Sequence, residues 1–333
     1  MKRATVLALL STALPAVAQE VGEPAGELSA AHWYNWIGDV PTIEGLRGRT
    51  VLVHFFKVEE PEKNGFMTLC KFHEDHADKG LVILAVASEA KGVVRRLLEE
   101  YPLPFTVGAG CHDKGSWGIA ADRGQVLIDP KGNVYYRADA ANGIWNGKLL
   151  KALKGSKRLG DRGALAYRPQ AEYSKRWSSA IDDLAEGELA KAMARIERVV
   201  ENDKSSAADV AEGSELADEV DAHVMLLLYQ IEEELERGEI LRAREALDAL
   251  AKEFKRHPLG ATPIARRAEL DEDETHLREL AAAEQYESLV TAFFTRGLEK
   301  NRAKFNTLME EYAGTRGAAK AHAWVQLVLG RKL

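Results

Sequence analysis

The sequence predicts two classes of fold in one chain: an α/β domain on a mixed central sheet, followed by an all-α domain of helical hairpins. Three observations carry this. Strand–helix–strand units alternate over the first half and end in a hairpin. Gly155 to Pro169, rich in glycine and basic residues, then breaks the pattern without apolar periodicity. Beyond it, helical spacing recurs to the end of the chain. The expected organisation is a signal peptide over 1–18, an α/β domain over 27–154, a linker over 155–169 and a helical domain over 170–333.

Each element follows from its residues. Thr50 to Phe56 is nearly all apolar, which suits a central strand covered on both faces. From about Gly65 to Asp78, Phe66, Leu69 and Phe72 share a helix face, and Lys79-Gly80 supplies a basic last turn and a glycine stop. Leu81 to Ala87 is a second buried strand. Val93 to Glu100 is a helix ended by Pro102, and Phe105 to Val107 is a short strand. Gln125 to Asp129, the turn Pro130-Lys131-Gly132-Asn133 and Val134 to Arg137 form a hairpin, and helix Lys148 to Lys154 closes the unit. Helices are expected on both faces of the sheet.

Lys2 and Arg3, the apolar run Val6 to Leu14 and the small residues Ala16-Val17-Ala18 form an export signal with cleavage near Ala18. A periplasmic or secreted location is expected. No later run approaches ~20 apolar residues, so no membrane span is expected. Charged residues make up 29% and apolar ones 46%, an ordinary soluble balance. A net charge of -7 without a basic block argues against a nucleic-acid partner.

Ile43 to Arg49 before Val51 to Phe56, then Lys79 to Val86, then Trp117-Gly118-Ile119 upstream of Val126 to Gly132, form an ordered set. The set resembles the redoxin branch of the thioredoxin-like superfamily, which includes extracytoplasmic thiol–disulfide oxidoreductases and peroxiredoxin-like proteins. The resemblance covers about a third of the chain. It implies a Cys-x-x-Cys at the start of the first helix, where the helix dipole stabilises a thiolate. The loop here carries Glu59, Glu60, Pro61, Glu62 and Lys63, with no cysteine. His54 replaces the family's buried acid, and Arg123 stands near the place of its cis-proline. A non-proline cis bond costs ~3 kcal/mol, so that geometry is expected to be lost. The active site is therefore expected to be degenerate, with Glu59 and Glu60 as charges favoured at a helix start.

Cys70 and Cys111 are the only cysteines. In an oxidising compartment they suit a structural disulfide, or else two buried inert thiols; the resemblance leaves open a redox pair, with Cys70 near the place of a resolving cysteine. Against catalysis, a mid-helix thiol lacks the environment that lowers its pKa. Cys70, His73 and His76, with Cys111-His112 from a facing loop, are donors that suit zinc or copper. The three-residue spacing drifts by about 60° around a helix, so a polar helix face is the plainer reading. No cofactor is expected.

In the second half, Tyr173 to Glu186, Glu188 to Asn202, Glu215 to Arg237, Ile240 to His257, Pro263 to Leu298 (broken), Asn301 to Tyr312 and Ala318 to Leu329 have helical spacing. Gly187-Glu188-Leu189 and Gly238-Glu239-Ile240 open similar helices, which resembles divergent tetratricopeptide pairs. Their separation exceeds the regular period of roughly 34 residues. Such arrays generally present a surface to other proteins, so protein partners are expected through this domain. The sequence thus favours an exported binding or assembly module without dithiol chemistry. The alternatives are a thiol-dependent oxidoreductase or antioxidant protein using Cys70 and Cys111, and metal binding.

Overall fold

The computed structural model describes residues 20–59, 63–119, 123–139, 146–157, 165–169 and 171–329. Residues 1–18, assigned to the signal, lie outside them, as do Glu60, Pro61 and Glu62. The N-terminal domain is one sheet of β1 (His32–Tyr34), β2 (Thr50–Phe56), β3 (Leu81–Ala87), β4 (Thr106–Ala109), β5 (Gly124–Ile128) and β6 (Val134–Asp139). Its strand order is β1-β4-β3-β2-β5-β6. Central β2 runs parallel to β3, with Thr50 opposite Leu81, and antiparallel to β5, with His54 opposite Gln125. Parallel neighbours need crossovers, supplied by α1 (Lys63–His76) between β2 and β3 and α2 (Lys91–Glu100) between β3 and β4. Strand β1, too short to show a periodicity, was not legible in the sequence.

The two faces of the sheet are covered differently. Leu52, Phe56, Ile83, Ala85 and Val107 point into one core with α1, α2 and α3 (Asn146–Ala152). Val51, Val53, Phe55, Leu84 and Val126 point into the other, closed by Leu28, Ile43, Leu46 and the loop that carries Cys111, Trp117 and Ile119. Helices were expected on both faces. Two successive crossovers in the same direction put α1 and α2 on the same face, since such connections share one hand. Gly80 ends the α1 segment with φ +92°, and a Cβ there would meet the Lys157 carbonyl oxygen at 2.4 Å. The chain can return past this point only over a glycine.

The second half is helical: α4 (Ser178–Ala185), α5 (Leu189–Val200), α6 (Ala207–Arg237), α7 (Ile240–Glu253), α8 (Ala261–Glu272), α9 (Glu274–Arg296), α10 (Leu298–Glu311) and α11 (Arg316–Val328). The expected break in Pro263 to Leu298 falls at Asp273, which caps α9 by accepting from the backbone N–H groups of Thr275 and His276. Helix α6 begins earlier than its apolar spacing suggested, because Ser206 caps it through Asp209 N–H. Gly213 near its start lets Trp177 approach. Helices α4 to α7 build their own core around Trp177, Leu216, Leu247 and Phe254. Helices α9 to α11 instead join the core of the sheet: Tyr286, Phe305 and Trp324 are continuous with Phe66, Leu69 and Cys70 of α1.

A polar seam completes the contact between the halves. His223, Gln230 and Arg237 recur at heptad spacing on α6 and hold the segment after β1. His223 Nδ1 lies 3.2 Å from Asp39 Oδ1. Gln230 accepts from Gly38 N–H at 2.8 Å and donates to Gly38 O at 3.1 Å. Arg237 donates to Asn35 Oδ1 and lies over the Tyr34 ring, 4.7 Å from its centroid.

Candidate functional site

Parallel β2 and β3 finish at the same end of the sheet, and α1 begins just beyond β2 there. Arg123 and Gly124 enter β5 beside it. His54, on the helix-covered face of β2, is almost wholly buried and packs on Phe56 and Phe66. Its Nδ1 lies 3.2 Å from Gln125 Nε2, and its Nε2 has no hydrogen-bond partner among the described residues. Burial first, and the Arg123 charge second, push the imidazole down to about 4. The ring is therefore neutral at physiological pH and sealed from solvent, so it lacks the access that a general base needs.

The loop after β2 is held by a residue that the sequence did not single out. Glu89, after β3, accepts from Val58 N–H at 3.0 Å through Oε1, while its Oε2 is buried. Gly110 N–H donates to the Glu89 carbonyl at 2.8 Å. A carboxylate within a short strand-to-helix loop gives no periodic signal, which is why it escaped notice. Glu59 is exposed. The side chain of Lys63 lies outside the described residues. No cis peptide bond occurs among the described residues.

The two cysteines do not meet. Both are free and buried, Cys70 in the helix-covered core and Cys111 in the core on the opposite face of the sheet. The disulfide reading is corrected accordingly: the sheet stands between the two sulfurs. Burial pushes Cys111 up to about 11, and burial also raises the Cys70 thiol. Tyr286 of α9 lies near enough to Cys70 that the two ionisations oppose each other. Lys71, the next residue of α1, lies over the Phe294 ring of α9 at 5.6 Å.

Nor do the histidines converge. His73 packs beside Phe105, and burial, then the Arg242 charge, push it down to about 4. His76 is buried, whereas His112 is exposed in the loop of the opposite face. Among the described residues no three His, Cys, Asp or Glu side chains stand together as a metal site. No described helix is long and apolar enough to cross a membrane.

Comparisons with solved structures find similarity over about two fifths of the chain. No family model matches the chain, and no curated protein matches it. A protein assigned as a thiol:disulfide interchange protein DsbE from Chlorobium tepidum is 21% identical, covering 41% of this chain and 99% of that one, with a TM-score of 0.35. A thiol-disulfide isomerase from Corynebacterium glutamicum is 18% identical over 40% of this chain and 96% of its own, with a TM-score of 0.34. AhpC from Mycobacterium tuberculosis is 16% identical over 41% and 93%, with a TM-score of 0.33. The sheet itself supplies the argument: a parallel β2–α1–β3 crossover at the centre, an antiparallel β5–β6 hairpin beside it and a closing helix. That arrangement is a thioredoxin-like fold, and the first half of this chain has it.

Proposed function

We propose that this protein is an exported binding or assembly module in which a thioredoxin-like domain no longer exchanges disulfides. One observation carries the reading: the only two thiols are buried on opposite sides of the sheet, and Cys70 lies under the helices of the second half. A thiolate is the attacking species in exchange, and burial disfavours it at both positions. The loop at the start of α1 supplies glutamates in place of sulfur, and His54 stands neutral behind it. Function resides in the site rather than in the inherited fold. The helical half, with consecutive helices packed on each other, supports a role in protein contacts.

The test is turnover. Purified protein should not accelerate insulin reduction by dithiothreitol or consume hydroperoxide, and Cys70→Ser and Cys111→Ser should leave that baseline unchanged. Turnover by the wild type, abolished by serine at either position, would overturn the reading in favour of a thiol-dependent oxidoreductase. Export is tested separately by mass determination of the N-terminus after expression with the full leader, where a start at Gln19 is expected.

A further inference from the structure

Helix α6 is buried along one side and open along the other. On the open side, Met225 is 64% exposed, Tyr229 62% and Leu226 42%, a contiguous apolar patch at helical neighbour positions. Its surroundings are acidic. The helix contains no lysine, and its arginine, Arg237, is committed to Asn35 and Glu234. Other carboxylates of α6 are occupied: Glu219 by Tyr167 and Tyr173, Glu232 by Arg266, Glu233 by Lys91 and by the Tyr229 hydroxyl, and Glu234 by Arg242. Asp218 and Asp221 on one side of the patch, and Glu236 on the other, form no ion pair among the described residues. Burial and the neighbouring Asp218 hold Asp221 above the usual carboxylate range, so a cation there would relieve repulsion already present.

We infer that this face of α6 is the docking surface for a basic amphipathic segment of a partner protein, with its apolar side on Met225, Leu226 and Tyr229 and its cations at Asp218, Asp221 and Glu236. This rests on the binding-module reading and gives it a surface and a partner chemistry. Charge chooses the occupant. A second copy of this chain carries the same net charge of -7 and the same acidic ends, so pairing α6 with itself would set like charges together. A cationic segment meets opposite charge at both ends while covering the apolar centre. Asp218 and Glu236 stand about 27 Å apart at 1.5 Å per helical residue, so the partner segment needs about 18 residues if helical. Helix-in-groove and helix-on-helix recognition use this combination of apolar anchors and flanking charge.

The test uses the full-length protein and a fluorescein-labelled peptide of about 18 residues, leucine and lysine at helical spacing, read by fluorescence anisotropy. The wild type should bind it. Met225→Asp with Tyr229→Asp should weaken binding at least tenfold although it makes the surface more negative, a direction that simple charge attraction cannot give. Asp218→Asn with Asp221→Asn should also weaken it, and should reduce its salt dependence. These side chains are exposed, so the thermal midpoint should be unchanged, which separates lost docking from lost folding. Absence of binding, or equal or tighter binding by the Met225→Asp and Tyr229→Asp variant, would overturn the assignment. The turnover assays on the same preparation answer the other question: thiol turnover would remove the non-catalytic reading, while a peptide indifferent to α6 would remove only this surface.

Discussion

Asn35 of the first half and Arg237 of the second are joined by a hydrogen bond of 2.9 Å from Nη2 to Oδ1. The same Oδ1 accepts from Arg242 at 3.1 Å, and the amide nitrogen donates to the carbonyls of Leu103 and Phe105. One carboxamide thus satisfies two guanidinium groups from the helical half and two backbone carbonyls of the sheet domain. Asn35 also has φ +59°, a conformation asparagine tolerates better than most residues.

Asn35→Ala should therefore destabilise the protein by roughly 2–4 kcal/mol, since it removes one acceptor from two half-buried arginines that keep Glu234, takes away the amide donor to the carbonyls of Leu103 and Phe105, and places an alanine in the left-handed region. Asn35→Gly, which relieves the backbone but not the lost hydrogen bonds, should recover about 1 kcal/mol. Urea unfolding of the three proteins measures both.

A second expectation concerns the thiols. Native protein at pH 8 should react with a thiol reagent such as dithionitrobenzoate only as fast as it opens, because both sulfurs are buried and their ionisation is suppressed. In denaturant both should react within the mixing time. Cys111, with the smaller elevation, should be the first labelled under mildly destabilising conditions, as peptide mapping would reveal.

Acid should weaken the fold in a defined window. His54 and His73 titrate near 4 in the folded protein, below the ordinary 6.5 of the unfolded chain. Between those values the unfolded state binds more protons, so stability falls as pH drops from about 6.5 to 4. Each ring contributes on the order of 1–3 kcal/mol. Glu239, held down to about 2 by Lys320 and Arg242 against the opposing effect of burial, extends the loss to lower pH, because its ionised form is the one the fold favours. Urea midpoints measured from pH 7 to 4 should decline, and His73→Leu should flatten that decline.

Gly80→Ala should cost on the order of 2–4 kcal/mol. Its φ of +92° disfavours a side chain, and the Lys157 carbonyl oxygen occupies the space a methyl would need. Thermal unfolding measures the loss; a midpoint within a degree of the wild type would show that the chain shifts freely at residues 156–157.

The regular parts of this fold were legible because burial selects apolar residues. Thr50 to Phe56 and Leu81 to Ala87 are short continuous apolar runs that suit central strands, and their bounds in the structure are those the sequence marks. The absence of sulfur at the start of α1 was equally plain from composition. What escaped notice depends on the tertiary arrangement. Cys70 and Cys111 carry no mark of the sheet that separates them. Glu89 is defined by the N–H of Val58 rather than by its neighbours in sequence. His223, Gln230 and Arg237 do share a heptad spacing, but polar residues on a long acidic helix look like a solvated face until the segment Asn35 to Asp39 is seen against them.

The aromatic layer of Tyr286, Phe305 and Trp324 over α1 has a consequence for anyone dividing this molecule. A fragment cut within the nominal linker would leave an oily wall facing water, and would be expected to precipitate or to recruit a substitute cover. The appended helices behave less as a passenger than as the missing half of a shell, so the two segments should have been retained, lost and exchanged as a unit.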